Sequence, residues 1–160
     1  MRVGLGFDIH QTDVRRPLVL GGVTIDSPFG LKGHSDADVL THAIIDALLG
    51  AAALGDIGEF FSDTDAKNLN RSSLDILSET VKMLREKGYF VVNIDATIIA
   101  EKPKLMDYKS QMILCLSSCL QVRKSCVNVK AKTHEKIGPL GRSEAIEAQA
   151  IVLIDKEKNI

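Results

Sequence analysis

Arg2-Val3-Gly4-Leu5-Gly6-Phe7-Asp8-Ile9-His10 alternates strictly: Val3, Leu5, Phe7 and Ile9 share one side, Gly4, Gly6, Asp8 and His10 the other. A period of two marks a half-buried β-strand. The pattern predicts a strand anchored in the core by its apolar side, whose other side ends in a carboxylate and an imidazole pointing the same way. Further on, His34-Ser35-Asp36-Ala37-Asp38-Val39-Leu40-Thr41-His42 reads as the opening of a helix. Leu40, Ala43, Ile44, Ala47, Leu48 and Ala51 then recur at helical spacing over 38–54, with Ser35 or Asp36 expected to cap the first amides. His42 stands near the start of that helix and is available as a third ligand beside Asp8 and His10.

The rest of the chain fills out a mixed fold. Leu18–Leu20 and Val23–Ile25 flank Gly21-Gly22 as a hairpin, and Gly55-Asp56-Ile57-Gly58 closes the first helix. A second helix is expected from Ser73 to Lys87, with Ser72 as its cap and Gly88 as its stop. Tyr89–Ala100 is rich in β-branched residues and reads as a long strand, and Lys104–Leu120 returns to a helical pattern. Val127–Thr133 and Ala145–Ile154 alternate again, the latter with Ile146, Ala148, Ala150, Val152 and Ile154 on one face. The order predicts an α/β (α+β) sandwich in one domain, 1–160, with a mainly four-stranded sheet covered by helices on one face.

A chain of 160 residues is long enough to bury roughly 70% of its unfolded surface without staples. Lys plus Arg total 20 and Asp plus Glu 21, a formal charge of −1. That balance provides no general field for nucleic acid or a membrane, so any phosphate site must be local. No apolar run approaches the ~20 residues of a membrane span. The expected setting is the bacterial cytoplasm, or a plastid had a transit peptide been removed. Cys115, Cys119 and Cys126 read as reduced thiols, since no further soft ligands complete a zinc pattern.

One carboxylate and two imidazoles suit zinc, with the fourth position open for substrate. Asp38 and Asp46 lie one helical turn to either side of His42. Either is placed to accept its free ring N–H, or both belong to a solvated helix face. A second cluster, Lys130-Ala131-Lys132-Thr133-His134-Glu135-Lys136, combines cations, a hydroxyl and a carboxylate, as a phosphate-bound magnesium requires. The loops Asp56–Gly58 and Asp63–Asp65 carry acceptors suited to a polyol.

Gly6–His10, His34–Asp38, Asp46–Gly58, Asp63–Asp65, Pro103–Leu105, Asn128–Thr133 and Gly141-Arg142, in this order, resemble the 2-C-methyl-D-erythritol 2,4-cyclodiphosphate synthases of the non-mevalonate isoprenoid pathway. The resemblance runs from Met1 to about Asp155. It implies zinc, or another divalent metal, on Asp8, His10 and His42, and magnesium or manganese on Glu135 at the substrate diphosphate. It implies transition-state roles for His34 and Thr133. A methylerythritol-phosphate pocket would use Ser35, Asp56, Ile57, Gly58, Asp63 and Asp65. A cytidine pocket would use Ala100, Lys104, Leu105 and Met106 with Ala131, Lys132 and Thr133.

The implied enzyme is a phosphorus–oxygen lyase. It would convert 4-diphosphocytidyl-2-C-methyl-D-erythritol 2-phosphate to the cyclic 2,4-diphosphate and CMP. The resemblance further implies a homotrimer, its sheets packed around the threefold axis and its active sites between subunits. Arg142 and Glu144 would lie near an axial cavity able to hold an isoprenoid diphosphate. Ser62, His134 and Pro139 depart from the family pattern, where proline, threonine and an aromatic residue are common, and none is a proposed ligand. Two rival readings are a metal-dependent phosphoester hydrolase and a zinc-containing isoprenoid-diphosphate-binding module.

Overall fold

The computed structural model describes residues 1–62, 69 and 71–156. Its strands are β1 (Arg2–Asp13), β2 (Leu18–Leu20), β3 (Val23–Ile25), β4 (Gly30–Leu31), β5 (Tyr89–Ile99), β6 (Val127–Lys132) and β7 (Ala145–Lys156). Its helices are α1 (Val39–Ala52), α2 (Ile57–Phe60), α3 (Ser73–Glu86), α4 (Lys109–Leu120) and α5 (Gly138–Gly141). Five strands form one sheet in the order β4-β1-β7-β5-β6, and β2 and β3 make the expected hairpin across Gly21-Gly22. The sheet is mixed: β5 and β6 run parallel, the other neighbours antiparallel. The expected four long strands are present. The fifth, β4, is a two-residue edge that no alternation could signal.

The first strand is inverted relative to its sequence reading. Gly4 and Gly6 are buried against α1, whereas Val3, Leu5, Phe7 and Ile9 are exposed, Val3 and Leu5 at 68% and 69%. The glycines face the core because the helix lies on that side with almost no gap. A Cβ at Gly4 would come 1.9 Å from the carbonyl oxygen of Ala47, and one at Gly6 would come 1.9 Å from that of Ala43. Small residues on both elements, with Ala43, Ala47 and Ala51 on α1, let backbone approach backbone. Hydrophobicity alone assigned the wrong side, and close packing overrides it.

On β7 the reading stands: Ile146, Ala148, Ala150, Val152 and Ile154 are buried. They join Ile94, Ala96 and Ile98 of β5 and Val127 and Val129 of β6 in one core under α1, α3 and α4. Several element ends differ from expectation. The amides of α1 are capped by Asp38 rather than Ser35 or Asp36, and the helix stops at Ala53 in a left-handed conformation. Gly55–Gly58, expected to close the first helix, lies beyond its end, and Asp56 instead starts the short helix α2, its carboxylate accepting from the Glu59 N–H at 3.1 Å. The Lys104–Leu120 segment opens with a 3-10 turn at Met106–Tyr108 before α4 begins at Lys109. Among the described residues, no helix is long and apolar enough to cross a membrane.

Candidate metal centre

Register places the ligands. Asp8 and His10 pair with Ala148 and Ile146 of β7, so they continue the buried side of β1 beyond Gly4 and Gly6. That side faces α1, and His42 lies in the first turn of α1. The Asp8 carboxylate lies 2.9 Å from His10 Nε2 and 3.0 Å from His42 Nδ1, and the two imidazole nitrogens are 3.2 Å apart. Tetrahedral coordination with bonds of about 2.0–2.1 Å sets ligand atoms about 3.3–3.4 Å apart. The three groups therefore stand close to the spacing that one small divalent ion imposes, and they form the only such cluster found among the described residues.

The outer ring nitrogens decide whether the inner ones are free to coordinate. His10 Nδ1 lies 2.6 Å from the Lys32 carbonyl oxygen, which can only accept, so Nδ1 carries the proton and Nε2 presents a lone pair. His42 Nε2 lies 2.9 Å from Ser73 Oγ and 3.2 Å from Ser35 Oγ. Ser73 gives its own proton to Asp36, so its oxygen receives the Nε2–H of His42 and leaves Nδ1 bare. Two lone pairs and a carboxylate oxygen thus converge, an acceptor set that fits a cation. Burial opposes charge on both Asp8 and His10. When His10 takes up a second proton, its Nε2–H donates to Asp8, and that bond and attraction outweigh burial, raising the His10 pKa and, with the contact to His42, lowering that of Asp8.

Neither aspartate considered from sequence holds His42. Asp38 is fully buried and occupied elsewhere, accepting from Gly21 N (2.9 Å), Gly22 N (2.7 Å), Thr41 N (3.0 Å) and Thr41 Oγ1 (2.7 Å). It ties the β2–β3 turn to the start of α1. Asp46 accepts from Ile57 N–H at 2.8 Å, holding the Ile57-Gly58 rim, and burial pushes its carboxyl pKa up. The partners of His42 were missed because Ser73 is 31 residues away, where no helical spacing reaches it.

The triad opens into a cavity of about 400 Å³. Its walls include His34, Ser35, Ile57, Gly58, Phe61 and Ile76. His34 Nε2 is buried with no hydrogen-bond partner among the described residues. Arg16 fastens the 33–35 loop by donating to the carbonyls of Gly33 and Ser35, a contact between distant segments that no motif announced. Asp63 and Asp65 lie outside the described residues.

The remaining predicted residues form a separate group. Ala100 N–H donates to Lys132 O at 2.9 Å, so the 100–106 and 131–135 segments lie side by side at the ends of β5 and β6. Leu105 is buried, while Lys104, Met106, Ala131, Lys132, Thr133 and Glu135 are exposed. Thr133 donates to the Glu135 carboxylate, and Glu101 accepts from the His134 and Lys136 amides. β6 lies three strands from β1, roughly 14 Å at ordinary strand spacing, and none of this group lines the cavity. Arg142 stands apart again, paired with Glu144 at 2.7 Å.

A two-histidine, one-carboxylate cluster at the end of a mixed sheet, opening on a cavity of ligand size, defines an α/β protein with a candidate metal site. The chain belongs to the YgbB family, which it matches over residues 1–155. It is 53% identical over 158 residues to the 2-C-methyl-D-erythritol 2,4-cyclodiphosphate synthase of Desulfosudis oleivorans, covering 99% of this chain and 94% of that one. It is 52% identical to the synthase of the same name from Clostridium botulinum strain Okra, covering 97% of this chain and all of that one. Among solved structures, the bifunctional IspDF of Campylobacter jejuni superposes with a TM-score of 0.94 at 43% identity, covering 98% of this chain but 42% of that longer one. The CDP complex of IspF from Plasmodium falciparum superposes with a TM-score of 0.86 at 34% identity, covering 98% and 97%.

Proposed function

We propose that this chain converts 4-diphosphocytidyl-2-C-methyl-D-erythritol 2-phosphate to 2-C-methyl-D-erythritol 2,4-cyclodiphosphate and CMP, as a phosphorus–oxygen lyase of the non-mevalonate pathway. The observation that carries the reading is the convergence of Asp8, His10 and His42 at the mouth of the cavity, within a family whose relatives bear that name. A divalent metal on the triad, and magnesium or manganese on Glu135, would supply Lewis-acid polarisation and charge neutralisation at the phosphates.

The chain's own groups do the rest. Ser35, Ile57 and Gly58 would receive the methylerythritol phosphate, together with Asp56 and, outside the described residues, Asp63 and Asp65. His34, whose Nε2 is buried without a hydrogen-bond partner among the described residues, would contact the substrate. Ala100, Lys104–Met106 and Ala131–Thr133 would cradle the cytidine, with Thr133 beside the diphosphate. The attacking 2-phosphate is already ionised at neutral pH, so no strong base is needed. The bond from the 2-phosphate oxygen to the β-phosphorus forms as the bond to the departing CMP breaks. Orientation alone can contribute about 7–11 kcal/mol to such a ring closure.

The separation of cavity and cytidine segments within one chain supports an active site completed by a neighbour. The exposed stripe of Val3, Leu5, Phe7 and Ile9, with Ile151 opposite Leu5, offers an apolar sheet face for a homotrimer. Each chain would act as one domain, 1–160, with Arg142 and Glu144 near the axis and its cavity available to an isoprenoid diphosphate. Phosphorus NMR of the products tests the reaction. CMP with a cyclic diphosphate is expected, and linear phosphates would instead mark the phosphoester hydrolase.

A further inference from the structure

We propose that Ser73 and Asp36 act as positioning residues for the metal centre by fixing the tautomer of His42. Ser73 is wholly buried at the first residue of α3. Its hydroxyl donates to Asp36 Oδ1, and its backbone N–H donates to Asp36 Oδ2 at 3.0 Å. With both carboxylate oxygens accepting, the hydroxyl proton has a fixed direction. Ser73 Oγ can then only accept from His42, 2.9 Å away. The imidazole is held as the Nε2–H form with its Nδ1 lone pair aimed at Asp8 and His10.

Ser35 does not fix this direction. Its oxygen lies farther from His42 Nε2, at 3.2 Å, and already receives the Ala37 N–H at 3.2 Å. Asp36 is itself held, its N–H donating to Arg71 O at 3.1 Å. The relay Asp36–Ser73–His42 therefore links the start of α3 to a metal ligand on α1. It needs the triad to be a metal site for its functional consequence, and so rests on the reading above. The tautomer itself does not.

Nitrogen-15 NMR of the metal-free protein, at a pH where its imidazoles are neutral, should show His42 protonated at Nε2. Ser73→Ala should raise the zinc Kd, read by chelator competition, by about 10–100-fold. Asp36→Asn should loosen zinc as well, because an amide nitrogen can reverse the Ser73 hydroxyl and push the ring toward its Nδ1–H form. A purely structural role would lower Tm and leave both tautomer and Kd unchanged, which would overturn the proposal. So would an Nδ1–H tautomer in the unsubstituted protein, a result available even if a variant fails to fold. Absence of zinc binding by the unsubstituted protein would sink the metal reading instead, leaving the tautomer to judge the relay.

Discussion

Gly6→Ala puts the sequence-to-site logic under the sharpest strain. The new Cβ would sit 1.9 Å from the carbonyl oxygen of Ala43 and 2.6 Å from the amide nitrogen of Ala47, where contacts below 3.0 Å are essentially never found. Neither neighbour is a flexible side chain, so α1 must move from β1 by at least about 1.1 Å. Overpacking of this kind costs about 1–3 kcal/mol. His42 adjoins Ala43 and would move with it. A gap of 3.0 Å to Asp8 and 3.2 Å to His10 would open beyond the roughly 3.3–3.4 Å edge of a tetrahedral site. Thermal denaturation with and without zinc, plus zinc titration, measures both effects. The expected result is a lower Tm and markedly weaker zinc binding, although no ligand is changed. A variant with unchanged Tm and full-affinity zinc would refute the claim that close glycine–alanine packing sets the metal geometry.

Other expectations are simpler. His42→Ala should abolish CMP release while costing the metal-free fold only about 1 kcal/mol, checked by assay and denaturation. Glu135→Gln should weaken the magnesium dependence of turnover and leave zinc content near normal, and full activity would remove the second ion from the account. Leu5→Asp should convert an assembled protein to monomer in sedimentation, since it charges the centre of the exposed stripe. The metal-free protein should lose stability as pH rises from the ordinary histidine value of about 6.5 through the raised folded value of His10. His10, with its pKa raised by Asp8 against the pull of burial, contributes stability when protonated and loses it as pH climbs through its folded value. Saturating zinc should flatten that slope, as seen in Tm against pH.

Much of the site was legible because its information is local. The Asp8-x-His10 spacing in a strand and a histidine at a helix start specify the triad, and their alternation or periodicity survives in the sequence. What the alternation could not tell was which side of β1 faces the helix. The apolar side looked like core, yet Gly4 and Gly6 face α1 because only they tolerate its backbone. An apolar stripe on an exposed sheet face and one facing the core have the same pattern. The partners of His42 were illegible for a different reason. Ser73 and Asp36 meet across a sequence separation of 37 residues, and hydroxyls serve as partners as well as carboxylates do. Asp38 and Asp46 had the right spacing but were already committed to the β2–β3 turn and to Ile57.

Anomalous diffraction at the zinc edge, on crystals grown with zinc, interrogates the centre itself. One ion is predicted within about 2.0–2.2 Å of an Asp8 carboxylate oxygen, His10 Nε2 and His42 Nδ1. An ion held by other residues, or no ordered ion where these three atoms converge, would contradict the account.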